Sequence, residues 1–223
     1  MNVPLLAASD YGLVVASMLV LLLFLGIGFV IVQGTRAQMY WRKQVIDGDV
    51  DVISMLVTEE VNRWRTMRMP KGYDSGVWHG VQTAELIEVK PDGVRLSASA
   101  EGQYAMLDGR RQQVSTALDE GMKVTAKLAD MTLYDIPNVM LPWVQVDIYS
   151  TYRDDVGSAQ RCVMSTTATR EVADYLEWED MVAEAVVRAF GGRFSLDDRG
   201  NPLPIDPDGG EPVAVPAVFY KDD

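Results

Sequence analysis

The sequence predicts a single N-terminal transmembrane helix joined to an α+β body. The body is expected to be an antiparallel β-barrel or sandwich of about six or seven strands, with a C-terminal helix and an extended tail. Three observations lead there. Tyr11 to Val32 carries no charged residue over 22 positions. From Gly80 onward, short alternating runs are punctuated by turn signals such as Pro91-Asp92-Gly93 and Asp108-Gly109. Glu171 to Phe190 then switches to helical periodicity, ahead of a proline-rich end.

The apolar run defines the first element. As a helix it rises roughly 33 Å, enough to cross a hydrocarbon core of about 30 Å. A cleaved signal peptide has a positive n-region and a shorter apolar run. Residues 1–10 contain no Lys or Arg, only Asp10, so residues 11–33 read as an uncleaved anchor. Basic residues follow the span (Arg36, Arg42 and Lys43) and none precedes it. The positive-inside rule therefore places residues 1–10 outside and the rest in the cytoplasm, on an inner (cytoplasmic) membrane. Gly12 with Ala16, and Gly26 with Gly28, are small residues that let helices approach closely. The one cysteine, Cys162, has no partner for an internal disulfide, which suits a reducing compartment.

Residues 34–72 form a juxtamembrane region. Helix is expected to continue to about Ile46, with Tyr40 and Trp41 suited to an interface and Arg42 and Lys43 to anionic headgroups. Asp47 to Asp49 breaks it, and Asp49 or Asp51 caps a second helix. Ile53, Val57, Val61 and Trp64 recur at helical spacing, an apolar stripe that packs on the body or lies on the membrane. Charge is uneven. Residues 34–72 hold seven Lys/Arg against five Asp/Glu, and residues 73–223 hold thirteen against twenty-six. A body that acidic repels nucleic acid, so nucleic-acid binding is excluded and the basic stretch is left for lipid headgroups.

Residues 73–194 form the β domain. Turns are expected at residues 91–93, at Asp108-Gly109, at Glu120-Gly121 and at Val156-Gly157. Residues 135–143, with Pro137 and Pro142, form a loop. Helix 171–190 ends at Gly191-Gly192. Residues 195–223 hold five prolines and three glycines and read as an extended tail. Its last stretch turns apolar again, with Phe219 and Tyr220 as anchors for a neighbouring subunit or for the chain's own barrel.

Catalytic chemistry finds no set. His79 is the single histidine and is expected at the mouth of a strand, with no second His or Cys to complete a zinc site. Ser97, Ser99, Ser115, Ser150 and Ser165 fall in strands without a nucleophile elbow. Asp197-Asp198, and Asp206 with Asp208, read as solvated loop charge. No phosphate-binding glycine loop occurs. A non-enzyme is expected, with no catalytic, cofactor or metal residues.

One segment stands apart, "RWRTMRMP" from Arg63 to Pro70. With the hairpin "EVKPDG", Glu88 to Gly93, it resembles the PilZ domain family over about residues 63–190. That family pairs an RxxxR motif with a [DN]xSxxG motif to bind cyclic di-GMP, its arginines holding phosphate and stacking on guanine. Arg68 falls at the second arginine of the motif. Trp64 stands where the first is expected, between Arg63 and Arg65, and of the second motif Gly93 matches, while Glu88 and Lys90 depart from it. The resemblance implies a ligand site at Arg63, Arg65, Arg68, Glu88 and Gly93. Residues 118–128 look like middle strands of that barrel.

The expected function is a non-catalytic, membrane-anchored accessory subunit that stabilises a larger integral-membrane complex, for example a bacterial photosynthetic or respiratory assembly, through its helix, cytoplasmic β domain and tail. Its interaction residues are expected at Tyr40, Trp41, Arg42, Lys43, Trp64, Phe219 and Tyr220. Its layout is similar to that of the H subunit of purple bacterial reaction centres. The alternative is a membrane-tethered cyclic di-GMP sensor of PilZ type.

Overall fold

The computed structural model describes residues 6–107, 109–154, 157–178 and 181–209. The chain divides into two compact units, Met1–Gln44 and Val45–Asp223.

The first unit is almost entirely helix α1 (Leu6–Ile46), 41 residues and about 60 Å long. From Val14 to Val32 its apolar side chains are exposed all round: Leu23 is 63% and Phe24 66% accessible. The hydroxyls of Ser17 and Thr35 donate to the carbonyls of Val14 and Ile31 at 2.9 Å, so these donors are satisfied within the helix. Among the described residues this is the one helix long and apolar enough to cross a membrane. It runs on to Ile46, as its sequence predicts.

In the second unit, Gly48 takes a left-handed turn (φ 76°) and α2 (Val50–Thr66) follows. Asp49 caps α2 by accepting from the amides of Asp51 and Val52 at 3.1 and 3.2 Å. The predicted stripe is the buried face: Ile53, Val57 and Trp64 are fully buried and Val61 nearly so. Of the two readings of that stripe, packing on the body is the one realised. Asp74 caps α3 (Ser75–Gln82), which carries His79 on its exposed side, not at a strand mouth.

The strands are β1 (Glu85–Lys90), β2 (Gly93–Ser99), β3 (Gln103–Leu107), β4 (Arg110–Ser115), β5 (Trp143–Asp154), β6 (Gly157–Thr169), β7 (Arg193–Leu196) and β8 (Pro202–Leu203). Six of them form one mixed sheet in the order β1-β2-β5-β6-β7-β8; β3 and β4 form a separate two-stranded ribbon. The β2–β5 pair is parallel and the other pairs are antiparallel. The sheet is open, so the expected closed barrel is not formed. The turns at residues 91–92 and around Gly109 are where the sequence puts them. The turn at Val156-Gly157 lies between β5 and β6, with Val156 outside the described residues.

The parallel crossover from β2 to β5 passes through α4 (Ala117–Asp130), where strands and a turn at Glu120-Gly121 were expected. Thr116 and Asp119 form a capping box at its start. Leu118, Met122, Thr125, Leu128 and Ala129 follow at helical spacing on the buried side. Gly121 is a packing glycine: a Cβ there would come within 2.9 Å of the Ile148 side chain, so its absence lets α4 approach β5. A single π turn, Met131–Asp135, ends this segment.

The predicted helix 171–190 is broken into α5 (Arg170–Ala173) and α6 (Ala183–Ala189). Trp178 accounts for the break. Its indole N–H donates to the carbonyl of Ala173 at 3.1 Å, and its ring packs on Phe190 and Tyr134 at centroid distances of 5.7 and 6.3 Å. A continuous helix would carry Trp178 away from that pocket. The stop at Gly191 (φ 65°) is as expected.

The sheet separates two environments. Val94 and Leu96 of β2, Val144, Val146 and Ile148 of β5, and Met164 of β6 are all fully buried on one face. The alternate residues Arg95, Gln145, Asp147, Cys162 and Ser165 line the other face. Residues 202–209 cross this second face. Tyr152 donates its hydroxyl proton to the Pro202 carbonyl at 2.5 Å, and the Ile205 amide donates to the Cys162 carbonyl at 2.8 Å. The first half of the expected tail is therefore folded onto its own sheet. Residues 210–223, with Phe219 and Tyr220, lie outside the described residues.

Candidate functional site

The arginine segment occupies the last turn of α2 and the residues after it. Arg63 is 60% exposed and pairs with Glu60, whose carboxylate is nearly buried. The same Glu60 oxygen accepts the Trp64 indole N–H at 2.9 Å. Trp64, expected at an interaction surface, is thus a core residue. Arg65 faces Glu85 of β1 at 3.6 Å, a surface pair worth little energy, and Arg68 is exposed. An open groove of about 620 Å³ runs between α2 and β1; Arg65 and Glu88 line it, whereas Arg63, Arg68 and Gly93 do not. Asp51 and Glu85 line it as well, so carboxylates outnumber the one guanidinium where a phosphate would sit. Glu88 pairs with Lys90 at 3.4 Å. Gly93 lies beneath Trp143: a Cβ there would come within 2.1 Å of the indole. Close packing of that ring is reason enough for a glycine.

The second face of the sheet holds a charged cluster that sequence reading missed. Arg95 is 13% and Asp147 1% exposed, and the Arg95 Nε–H donates to Asp147 Oδ2 at 2.5 Å. A second guanidinium nitrogen of Arg95 reaches Asp208 of the overlying segment. Gln145 donates to Asp147 Oδ1 at 3.0 Å and to the Ser165 hydroxyl at 3.2 Å. Arg193 donates to the Pro207 carbonyl at 2.6 Å and also to the Gly209 carbonyl. Burial opposes the charge on Arg95, but hydrogen bonding and attraction from Asp147 outweigh it, so its pKa is raised further. The sequence carried only part of the signal: Arg95 and Asp147 each sit between two apolar residues of a strand, which places them on the face opposite the apolar core but does not show that the face is covered.

Other ionisable groups serve structure. Burial pushes the Cys162 thiol up to about 11, which makes it a poor nucleophile. Burial and the hydrogen bond that the Tyr134 hydroxyl donates to Asp174 at 2.6 Å push that phenol up to about 12. Asp197 folds its own loop, accepting from the amides of Arg199 and Asn201. Among the described residues no three His, Cys, Asp or Glu side chains are grouped to hold a metal.

The remaining feature is the ribbon. Its base is pinned. Glu120, 2% exposed, accepts from the Ser115 hydroxyl at 2.5 Å, from Gln103 Nε2 at 2.8 Å and from Lys123 Nζ at 2.8 Å. That hydrogen bond raises the Lys123 pKa. Glu101 accepts from the Thr151 amide at 2.9 Å and from the Ser150 hydroxyl at 3.2 Å. Beyond the base the ribbon is bare: Tyr104 is 52%, Met106 70%, Leu107 45% and Val114 54% exposed. The Arg111 guanidinium lies over the Tyr104 ring at 4.2 Å. A lone two-stranded ribbon is marginal in water, so these side chains have no folding reason to be apolar.

The residues thus define an α+β domain on an open mixed sheet, carrying an exposed apolar ribbon, in a chain that also holds a helix of membrane-spanning length. Compared with known proteins, the chain matches no family model, no curated protein and no solved structure.

Proposed function

We propose that this chain is a non-catalytic, membrane-anchored assembly subunit. α1 inserts among the helices of integral-membrane partners, and the body stays on the cytoplasmic side as their cover. The observation that carries the reading is α1 itself: 0% of its most apolar window is buried, on a chain whose buried charges are consumed by its own architecture. In a bilayer, a helix apolar on every side contacts lipid or other helices. Gly26 and Gly28 support close helix contact, since residues without a side chain let a neighbouring backbone approach. Tyr40 is exposed and packs edge-on against Trp41 at 5.4 Å, an aromatic pair suited to the interface; Arg42 and Lys43 follow it toward anionic headgroups.

Extraction of the native full-length chain in mild detergent tests this. The expected result is co-purification of integral-membrane subunits in fixed ratio, lost when Gly26 and Gly28 are both changed to Leu. Recovery of the chain without membrane partners at every detergent strength would overturn it.

A further inference from the structure

We propose that the outer edge of β3 pairs antiparallel with the same edge of a second copy of this chain, about a two-fold axis through Ala105. The inference goes beyond the assembly role above, and its failure would leave that role standing.

The edges of the molecule are treated unequally. β1, one edge of the six-stranded sheet, carries Glu85, Glu88 and Lys90, has a bulge between Leu86 and Glu88, and lies against α2. β8, the other edge, is two residues long and begins with Pro202. These are the usual devices against unwanted strand pairing. β4 shows Arg110 and Arg111. β3 carries neither charge nor proline, and the irregularity of its ladder, between Gln103 and Tyr104, lies at the base, outside the stretch Tyr104 to Met106. Gly102 to Leu107 is uncharged, and among the described residues β3 pairs only with β4.

The register of the ribbon shows which groups are free. Leu107 pairs with Arg110 across a two-residue connection, so those two residues exchange hydrogen bonds, and by alternation so do Ala105 and Gln112. The amides and carbonyls of Tyr104 and Met106 therefore point outward. A two-fold axis at Ala105 sets Tyr104 of each copy opposite Met106 of the other, so these free groups bond to each other. The Tyr–Met pairs bring sulfur to aromatic ring. Ala105 meets its own image in the close, non-hydrogen-bonded pair, where a small side chain fits. No like charges face each other in β3.

Charge complementarity favours a second copy over an unrelated strand. Antiparallel pairing lays the tip of one ribbon, with exposed Arg110 and Arg111, beside the base of the other. At that base Asp74, Asp119 and Glu120 face Lys123, Gln103 Nε2 reaches Asp74 at 3.4 Å, and the exposed Glu101 flanks β3, so carboxylates exceed the cation. The pairing is short, and tethering both copies in one membrane raises their effective concentration enough for it to persist.

Ala105→Cys tests the axis. The two Cα atoms would lie about 4.5 Å apart, within disulfide range. In the full-length chain in lipid vesicles, mild oxidation is expected to convert Ala105→Cys to a covalent dimer, while Gln112→Cys on β4 stays monomeric. The native Cys162 is buried in both variants and serves as the common background. In a second measurement, Ala105→Lys lowers dimer affinity about tenfold, equivalent to about 1.4 kcal/mol, by opposing two cations. Mixing Ala105→Lys with Ala105→Glu restores pairing. A monomeric Ala105→Cys chain, equal cross-linking of Gln112→Cys, or failure of the Lys/Glu mixture to pair would each overturn the proposal and leave the edge to a different partner.

Discussion

The six-stranded sheet and the two-stranded ribbon are built from similar short strands, yet they are finished in opposite ways. The sheet is covered twice, by apolar helices on one face and by a charged, hydrogen-bonded segment on the other. The ribbon is covered on neither face and is held only at its base. The difference separates two tasks. Interactions that keep the body folded are concentrated around the sheet, where removing one partner strands another in a low-dielectric site. Apolar side chains that contribute nothing to folding are concentrated on the ribbon, where they remain available to another chain.

Substitutions can break that contrast at several depths. The largest expected effect is at Asp147. Its loss leaves the buried Arg95 with only the exposed Asp208 as an ionic partner, and Asp147→Ala should destabilise the body by about 3–5 kcal/mol in urea unfolding. Removing residues 205–223 should come next. It uncovers the second face and removes partners from Arg95, Arg193 and the Cys162 carbonyl; water reaches the uncovered groups, so the total should be about 1–3 kcal/mol. A melting temperature that does not move would show that the covering segment is passive, as expected of a free tail. Glu120→Ala unpins the ribbon and should cost about 1–2 kcal/mol, with faster amide exchange in Gln103 to Ser115 but not in the sheet.

A pH series sharpens the comparison from the covered face. The Cys162 thiol is raised from 9.0 to about 11 in the folded chain. Its contribution is fully present below the unfolded value, declines as pH rises above about 9 and is lost as pH passes the folded value. Cys162→Ala should flatten that part of the alkaline stability profile. The smallest effect belongs to the ribbon. Met106→Lys should change stability by less than about 0.5 kcal/mol, because its side chain is 70% exposed. A larger loss would mean that the ribbon helps to fold the body.

Much of the site was only partly legible. The ribbon's strands and its turn at Gly109 were visible as alternating runs, but nothing in "GQYAML" distinguishes an exposed ribbon from a sheet strand. The arginine segment drew attention because its residues are adjacent. The charged cluster went unnoticed because its members are far apart: Arg95 is 52 positions from Asp147 and 113 from Asp208.

What the sequence alone determined was local. The length and apolarity of α1, the Asp49 cap, the hairpin at residues 91–92 and the stop at Gly191 depend on residues within one or two turns of each other, and each appears where it was expected. The tertiary structure decided whatever depended on a distant surface. Ile53, Val57, Val61 and Trp64 announced an apolar stripe but not what it would meet. Gly121 looked like a turn until Ile148 was beside it, and Trp178 looked helical until its ring found Phe190 and Tyr134. Local propensities amount to tenths of a kcal/mol per residue, whereas burying a large side chain or pairing a buried charge amounts to several, so the distant partner prevails.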